Sequence, residues 1–166
     1  MIVPQVDGSV KNPGIQTFIL ALGNPILSDD AIGWVVADRL MELLPEDKAT
    51  IMKESGATVD LVRRFAGFDR LAVIDAIQCG SMPVGTVYRY SLEDFQATVR
   101  LSSAHDLNFA TAFVLARELG YAIPDDIRIY AVEVQELRTF SEHLSPEVAR
   151  NVNRIADEIM GDLYPT

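Results

Sequence analysis

The sequence is poor in cysteine, in positive charge and in long apolar runs, and each shortage excludes a class of protein. Cys79 is the only cysteine among 166 residues, so no internal disulfide can form and a reducing, cytoplasmic setting is expected. Fourteen Lys and Arg stand against 24 Asp and Glu, a formal net charge of −10. This balance disfavours binding to nucleic acid, because such binding depends on cationic side chains that neutralise phosphates. No run approaches the roughly 20 apolar residues that span a bilayer, and we expect neither a membrane span nor a signal peptide.

Apolar runs alternate with segments of helical periodicity along most of the chain. The pattern predicts strands at 17–22, 50–53, 70–75, 86–90 and 127–134, and helices at 30–44, 59–65, about 106–119 and from Ser145 onward. Strands that alternate with helices in this way predict an α/β fold: a three-layer, mostly parallel twisted sheet with helices on both faces. Residues 1–16, which contain Gly and Pro, are predicted to be a loose leader, and residues 17–166 a single domain.

Acidic residues and a histidine follow several of the predicted strands. Asp29 and Asp30 follow the first strand, Asp75 ends the third, and Glu133 lies in the last. His105 lies just before the long helix. In open α/β sheets, ligands bind outside the carboxyl ends of the strands. Carboxylates together with an imidazole suit nickel, zinc or iron, so the sequence predicts a divalent-metal site at this edge.

Each of these residues also has a structural interpretation. Asp29 is expected to cap the first helix, whereas Asp30 is a second acid that a single helix does not need for capping. Asp75 ends a buried strand, where a carboxylate without a partner is costly, so a functional role is favoured. His105 taken alone is more typical of a helix start or a surface position. Glu133 is equally consistent with a solvated edge residue and with a functional one.

Two further residues are expected to be outside the site. His143 lies in the polar stretch Ser141-Glu142-His143 and is predicted to be exposed to solvent. Cys79 has no basic neighbour in sequence to activate its thiol, so it is interpreted as a small apolar loop residue. A thiol protease is therefore disfavoured.

Four segments, in order and spacing, resemble the motifs of the nickel–iron hydrogenase maturation endopeptidase family. They are Gly23-Asn24-x-x-Leu27-x-Asp29-Asp30-x-x-Gly33, Ile74-Asp75-Ala76, Ser103-Ala104-His105-Asp106-Leu107 and Leu144-Ser145-Pro146-Glu147-Val148. The resemblance runs from about residue 17 to residue 159. It implies a parallel-rich sheet between helices and an endopeptidase that removes the C-terminal extension of a hydrogenase large-subunit precursor after nickel insertion.

Carried over from the family, the catalytic and nickel-contacting residues would be Asp30, Asp75 and His105. The nickel would belong to the precursor, which is the expected partner of a monomeric, cytoplasmic enzyme. A metal could polarise the scissile carbonyl or acidify a bound water, with an acid as general base.

The chain departs from the family pattern at three places. Asp30 stands where Glu is common, Glu54-Ser55-Gly56 replaces a Gly-rich turn, and Glu133-Val134 replaces an acid-Pro pair. These differences leave the subfamily and the particular hydrogenase open, while the three carried-over residues are retained.

Three other functions are weighed against the protease. A nickel-recognition checkpoint protein that binds the precursor without cutting it would use the same three residues. A phospho-receiver domain shares the acid pair and the Asp after strand three, but it needs a late Lys, and no Lys follows Lys53. A dinucleotide-binding enzyme is disfavoured because Gly23-Asn24-Pro25 lacks the required glycine spacing.

Overall fold

The fold is built on a central sheet that the sequence pattern predicts in outline. The computed structural model describes residues 14–56, 59–98 and 104–166, without the side chains of 59, 96–98 and 104–110. Within this part the strands are β1 (Thr17–Leu22), β2 (Ala49–Glu54), β3 (Arg70–Ile77), β4 (Val87–Tyr90) and β5 (Asp126–Glu133). Their order is β2-β1-β3-β5-β4. The pairs β1–β2, β1–β3 and β3–β5 are parallel, and β4 joins β5 antiparallel at the edge.

Helices cover both faces of the sheet, which confirms the three-layer α/β prediction. They are α1 (Ile32–Leu43), α2 (Val59–Phe65), α3 (Leu92–Thr98), α4 (Ala104–Glu118) and α5 (Pro146–Leu163), and a 3₁₀ helix (Ser28–Ala31) precedes α1. Helices α1 and α5 pack against each other on one face, and α4 packs with α2 and α3 on the other. The rings of Phe65 and Phe113 stack at 5.4 Å between α2 and α4.

Strand β1 shows why its sequence is a continuous apolar run. Successive strand residues point to opposite faces of a sheet, so Phe18 and Leu20 pack into the core beneath α2 and α4 while Ile19 packs beneath α1 and α5. All six residues of β1 are buried. A central strand covered on both faces therefore needs apolar residues at every position.

Several predicted boundaries are wrong, and one element is missed. Strand β3 does not end at Asp75 but runs to Ile77, because Ala76 and Ile77 still pair with β5. The sequence pattern does not predict helix α3 (Leu92–Thr98). Its start is marked by Ser91, whose hydroxyl accepts a hydrogen bond from the Asp94 N–H at 3.1 Å and donates one to the Asp94 carboxylate at 2.9 Å. The spacing Ser-x-x-Asp is typical of such a helix start.

The remaining differences lie at the ends of elements. Helix α4 begins at Ala104 rather than near residue 106, and β4 begins at Val87. Of the predicted leader, residues 1–13 lie outside the described residues, and 14–16 are exposed and form no regular element. The division into leader and single domain stays a prediction. Across the described part of the chain, every helix is too short or too polar to cross a membrane.

Candidate functional site at the carboxyl edge of the sheet

A glycine at the end of β1 lets the chain turn back and place Asp30 beside the strand. A Cβ on Gly23 would lie 2.3 Å from the backbone oxygen of Asp30, far inside van der Waals contact. The Gly23 N–H donates to the carbonyl of Glu54 at 3.1 Å, and the Trp34 indole N–H donates to the same oxygen at 3.2 Å. The turn that carries Asp30 is thereby fixed against β1 and β2.

A second glycine brings the start of α1 onto the ends of two strands. A Cβ on Gly33 would lie 2.4 Å from the carbonyl oxygen of Leu22 and 2.8 Å from that of Ile74. Only glycine allows this approach without displacing backbone. The 3₁₀ helix that carries Asp30 also packs against β3, in which Asp75 follows Ile74. The structure therefore brings the segments of Asp30 and Asp75 together.

Asp75 is half-buried near the end of β3. One of its carboxylate oxygens accepts a hydrogen bond from the Ala76 N–H at 2.8 Å. By the alternation of side chains along β3, Asp75 lies on the same face as Leu71 and Val73, which pack in the core layer formed with α2 and α4. Asp75 thus lies on the side of the sheet that α4 covers.

His105 is the second residue of α4, and its side chain lies outside the described part of the structure. Among the side chains that are described, no group of three His, Cys, Asp or Glu residues is arranged to hold a metal ion. The combination of Asp30, Asp75 and His105 as a ligand set therefore stays a prediction.

Asp29 does not cap the first helix, so that prediction is wrong. Its side chain is fully buried and accepts four hydrogen bonds from the chain that follows β5. The donors are the N–H groups of Gln135 (3.3 Å), Glu136 (2.9 Å) and Ser145 (2.6 Å) and the Ser145 hydroxyl (2.9 Å). Asp29 places a carboxylate at the N-terminus of α5, where the helix dipole favours negative charge, and fixes the Asp30 turn to that helix.

Ser145 and Pro146 begin α5 as predicted, with Glu147 in the first turn. The Ser145 hydroxyl, however, makes no capping bond within its own helix and donates to the Asp29 carboxylate at 2.9 Å. The capping residue is correctly predicted, and its hydrogen-bond partner is not.

Ser28, just before Asp29, adopts a left-handed backbone conformation with φ of 47°. Its N–H donates to the Ser141 carbonyl at 2.9 Å, and its hydroxyl donates to the His143 carbonyl at 3.2 Å. These bonds hold a conformation that is unfavourable for a residue with a Cβ. The side chain of His143 is exposed, as predicted, and only its backbone takes part.

Glu133 is buried at the end of β5, with 1% of its surface exposed, so the interpretation as a solvated edge acid is wrong. One carboxylate oxygen accepts the N–H groups of Cys79 (3.0 Å) and Gly80 (2.9 Å). The other accepts the Tyr88 hydroxyl at 2.8 Å and the Cys79 thiol at 3.0 Å. Burial raises the pKa of Glu133, but the hydrogen bonds from Cys79, Gly80 and Tyr88 outweigh it, so the pKa lies below its ordinary value.

Glu133 therefore fixes the loop of Cys79 and Gly80, which follows β3, the strand that carries Asp75. Cys79 is exposed and hydrogen-bonded rather than packed as a small apolar residue. Neither role could be read from the sequence, because it depends on β3, β4 and β5 meeting at one edge.

We expect Glu133→Gln to lower the free energy of unfolding by about 2 kcal/mol at pH 7, because the new NH₂ group faces donors on either side. Folding lowers the pKa of Glu133, so the ionised carboxylate stabilises the folded protein. This stabilisation is fully present above the ordinary pKa of 4.5 and is lost as the pH falls through the lower pKa of the folded state. Urea denaturation of both proteins at a series of pH values measures this. A difference that stayed constant down to acid pH would contradict the assignment; Tyr88→Phe, which removes one donor, should have a smaller effect.

A comparison with protein families finds a match to most of the chain. The family model HycI, described as hydrogenase maturation protease, matches residues 35–162. This range includes Asp75 and His105 and begins after Asp30. A search of curated proteins finds no significant match.

Solved structures of similar fold span nearly the whole chain. The hydrogenase maturating endopeptidase HybD from E. coli has a TM-score of 0.77 at 24% identity, over 89% of this chain and 91% of that one. The [NiFe] hydrogenase maturation protease HybD from Thermococcus kodakarensis has a TM-score of 0.73 at 25% identity, over 89% and 98%. HycI from Thermococcus kodakarensis KOD1 has a TM-score of 0.69 at 23% identity, over 89% and 92%.

Proposed function

The chain belongs to the hydrogenase maturation protease family, and from this premise we propose that it removes the C-terminal extension of a nickel–iron hydrogenase large-subunit precursor after nickel insertion. Membership makes the chain an endopeptidase with a role in hydrogenase maturation. The proposal adds three points to family membership: cleavage at the C-terminus, dependence on nickel, and the large-subunit precursor as the partner. Action as a cytoplasmic monomer belongs to it as well.

The observation that carries the proposal is the contact between the segments of Asp30 and Asp75 at the carboxyl edge of the sheet. Gly33 lies against the carbonyl of Ile74, the residue before Asp75, and the 3₁₀ helix with Asp30 packs on β3. Asp30 in the 3₁₀ helix after β1 and Asp75 on the neighbouring strand β3 supply two carboxylates. With His105 as a third donor they would form a set of oxygen and imidazole ligands that suits nickel. Asp30 in place of the more common Glu keeps the carboxylate donor.

The connectivity of the fold supports the inclusion of His105. Helix α4 leads into β5, and the Ala122 carbonyl just after it accepts a hydrogen bond from Gly67, just before β3. The end of α4 is therefore near the edge where the strands begin. A helix of 15 residues is about 22 Å long, which favours a first turn near the opposite edge, on the face that carries Asp75.

In this proposal the nickel is part of the substrate. Asp30, Asp75 and His105 contact it and so position the scissile peptide bond nearby. Water adds to the carbonyl carbon, a carboxylate accepts the proton of that water, and the C–N bond breaks as the leaving amine is protonated. The metal assists by polarising the carbonyl or by acidifying the water.

Incubation of the purified protein with nickel-loaded precursor, followed by intact-mass spectrometry, tests the proposed cleavage. We expect the precursor to lose the mass of its C-terminal extension. A precursor that was bound but left intact would favour the checkpoint alternative, and a precursor neither bound nor cut would contradict the proposal.

A further inference from the structure

Two large apolar side chains are exposed in neighbouring loops at the carboxyl edge. Phe140, in the loop between β5 and α5, has 79% of its surface exposed, and Ile26, in the loop after β1, has 47%. The two loops are joined directly, because the Ser141 N–H donates to the Ile26 carbonyl at 3.0 Å and Leu27 forms a parallel β-bridge with Ser141. We call Ile26 and Phe140 the apolar patch.

The loop that carries Phe140 is held in place by hydrogen bonds. A Glu136 carboxylate oxygen accepts the N–H groups of Arg138 at 2.7 Å and Thr139 at 3.1 Å. Asp29 accepts the Glu136 N–H from the other side. Phe140 is therefore presented on an ordered backbone.

The loop that carries Ile26 is fixed in the same manner. The Asn24 side chain accepts the Ile26 N–H at 3.2 Å, and the Asn24 carbonyl accepts the Leu27 N–H at 3.2 Å. Both side chains of the apolar patch are therefore carried by fixed loops. An aromatic side chain such as Phe140 loses little conformational freedom on binding when its loop is fixed, and such residues carry much of the binding energy at protein interfaces.

The patch is continuous with the candidate site. Ile26 lies four residues before Asp30, and the turn between them is bonded to the Phe140 loop through Ser28 and Asp29. A protease must bind a stretch of polypeptide on either side of its scissile bond, so the surface beside Asp30 faces the substrate protein. Exposed apolar side chains clustered at one place are typical of such contacts.

We propose that the apolar patch docks apolar side chains of the hydrogenase precursor and so holds its polypeptide against the Asp30–Asp75 edge. This inference rests on the proposed function, because the precursor is the occupant. The contact is made by side chains without charge. Apolar side chains can neither transfer a proton nor bind a metal ion, so we expect this contact to contribute to substrate affinity rather than to the chemical step.

Cleavage kinetics and binding of nickel-loaded precursor to Phe140→Ala test the proposal. We expect KM and Kd to rise about tenfold, with kcat changed by less than about twofold, since uniform binding is lost. Phe140→Leu should lose less. Leu119→Ala is the matched control, because Leu119 is 59% exposed but lies after α4, where β5 begins, and should leave both constants unchanged. Equal melting temperatures show that the variants fold.

Unchanged KM and Kd in Phe140→Ala would overturn the docking proposal while leaving the proposed function standing. If the wild-type protein failed to cleave the precursor, the proposed function would be wrong. The comparison of Kd between Phe140→Ala and the wild type would then still decide whether the patch binds it.

Discussion

Replacing Asp75 with asparagine is expected to lower the rate of precursor cleavage by about a thousandfold, the range in which a missing general base or metal-binding carboxylate falls. Asparagine keeps the size of the side chain and an oxygen that can still accept the Ala76 N–H. It removes the negative charge that would bind nickel or accept a proton. The fold should therefore persist while the reaction is lost. Cleavage is measured as the rate of mass loss from nickel-loaded precursor.

Asp125→Asn is the matched control for this experiment. Asp125 is exposed and precedes β5, at the edge where the strands begin, so the same change of charge is made far from the candidate site. We expect its cleavage rate to equal that of the wild type. An Asp75→Asn variant that retained a tenth or more of the wild-type rate would show that Asp75 is not needed for the reaction.

The second large effect is expected in stability, from Asp29→Ala. The change leaves four partly buried donors on Gln135, Glu136 and Ser145 without their fully buried acceptor. Each unsatisfied buried group costs about 1–3 kcal/mol, so a loss of about 3 kcal/mol or more in the free energy of unfolding is expected, a large part of the roughly 5–15 kcal/mol typical of a domain. Urea denaturation monitored by circular dichroism measures it.

Asp29→Asn and Asp38→Ala are the comparison variants for the loss of stability in Asp29→Ala. Asparagine retains one acceptor oxygen but turns an NH₂ group toward donors, so an intermediate loss is expected. Asp38 is exposed and pairs with Lys53 at 2.7 Å on the surface, where an ion pair contributes at most about 1 kcal/mol. If Asp29→Ala were no more destabilising than Asp38→Ala, the role of Asp29 in joining the two loops would be wrong.

The elements that the sequence predicts best are those set by burial alone. Strand β1 has the predicted bounds, 17–22, because both faces are covered and every position must be apolar. Boundaries that depend on a distant partner are less predictable. Strand β3 passes Asp75 because Ala76 and Ile77 pair with β5, a contact that no local pattern encodes.

The same distinction holds at the candidate site. The sequence indicates which acids follow the strands, and the structure brings the segments of Asp30 and Asp75 together. The sequence does not indicate that Asp29 accepts hydrogen bonds at the start of α5. Nor does it indicate that Glu133 is enclosed by Cys79, Gly80 and Tyr88. Those hydrogen bonds join residues far apart in sequence, and they appear only when the sheet is assembled.

In the proposed function, the Asp30–Asp75 edge recognises nickel carried by the precursor. The most direct test of this recognition compares cleavage of nickel-loaded and nickel-free precursor by the same preparation, with loss of C-terminal mass as the measurement. We expect cleavage of the loaded form and none of the nickel-free form. Equal cleavage of both forms would contradict the proposed recognition of nickel.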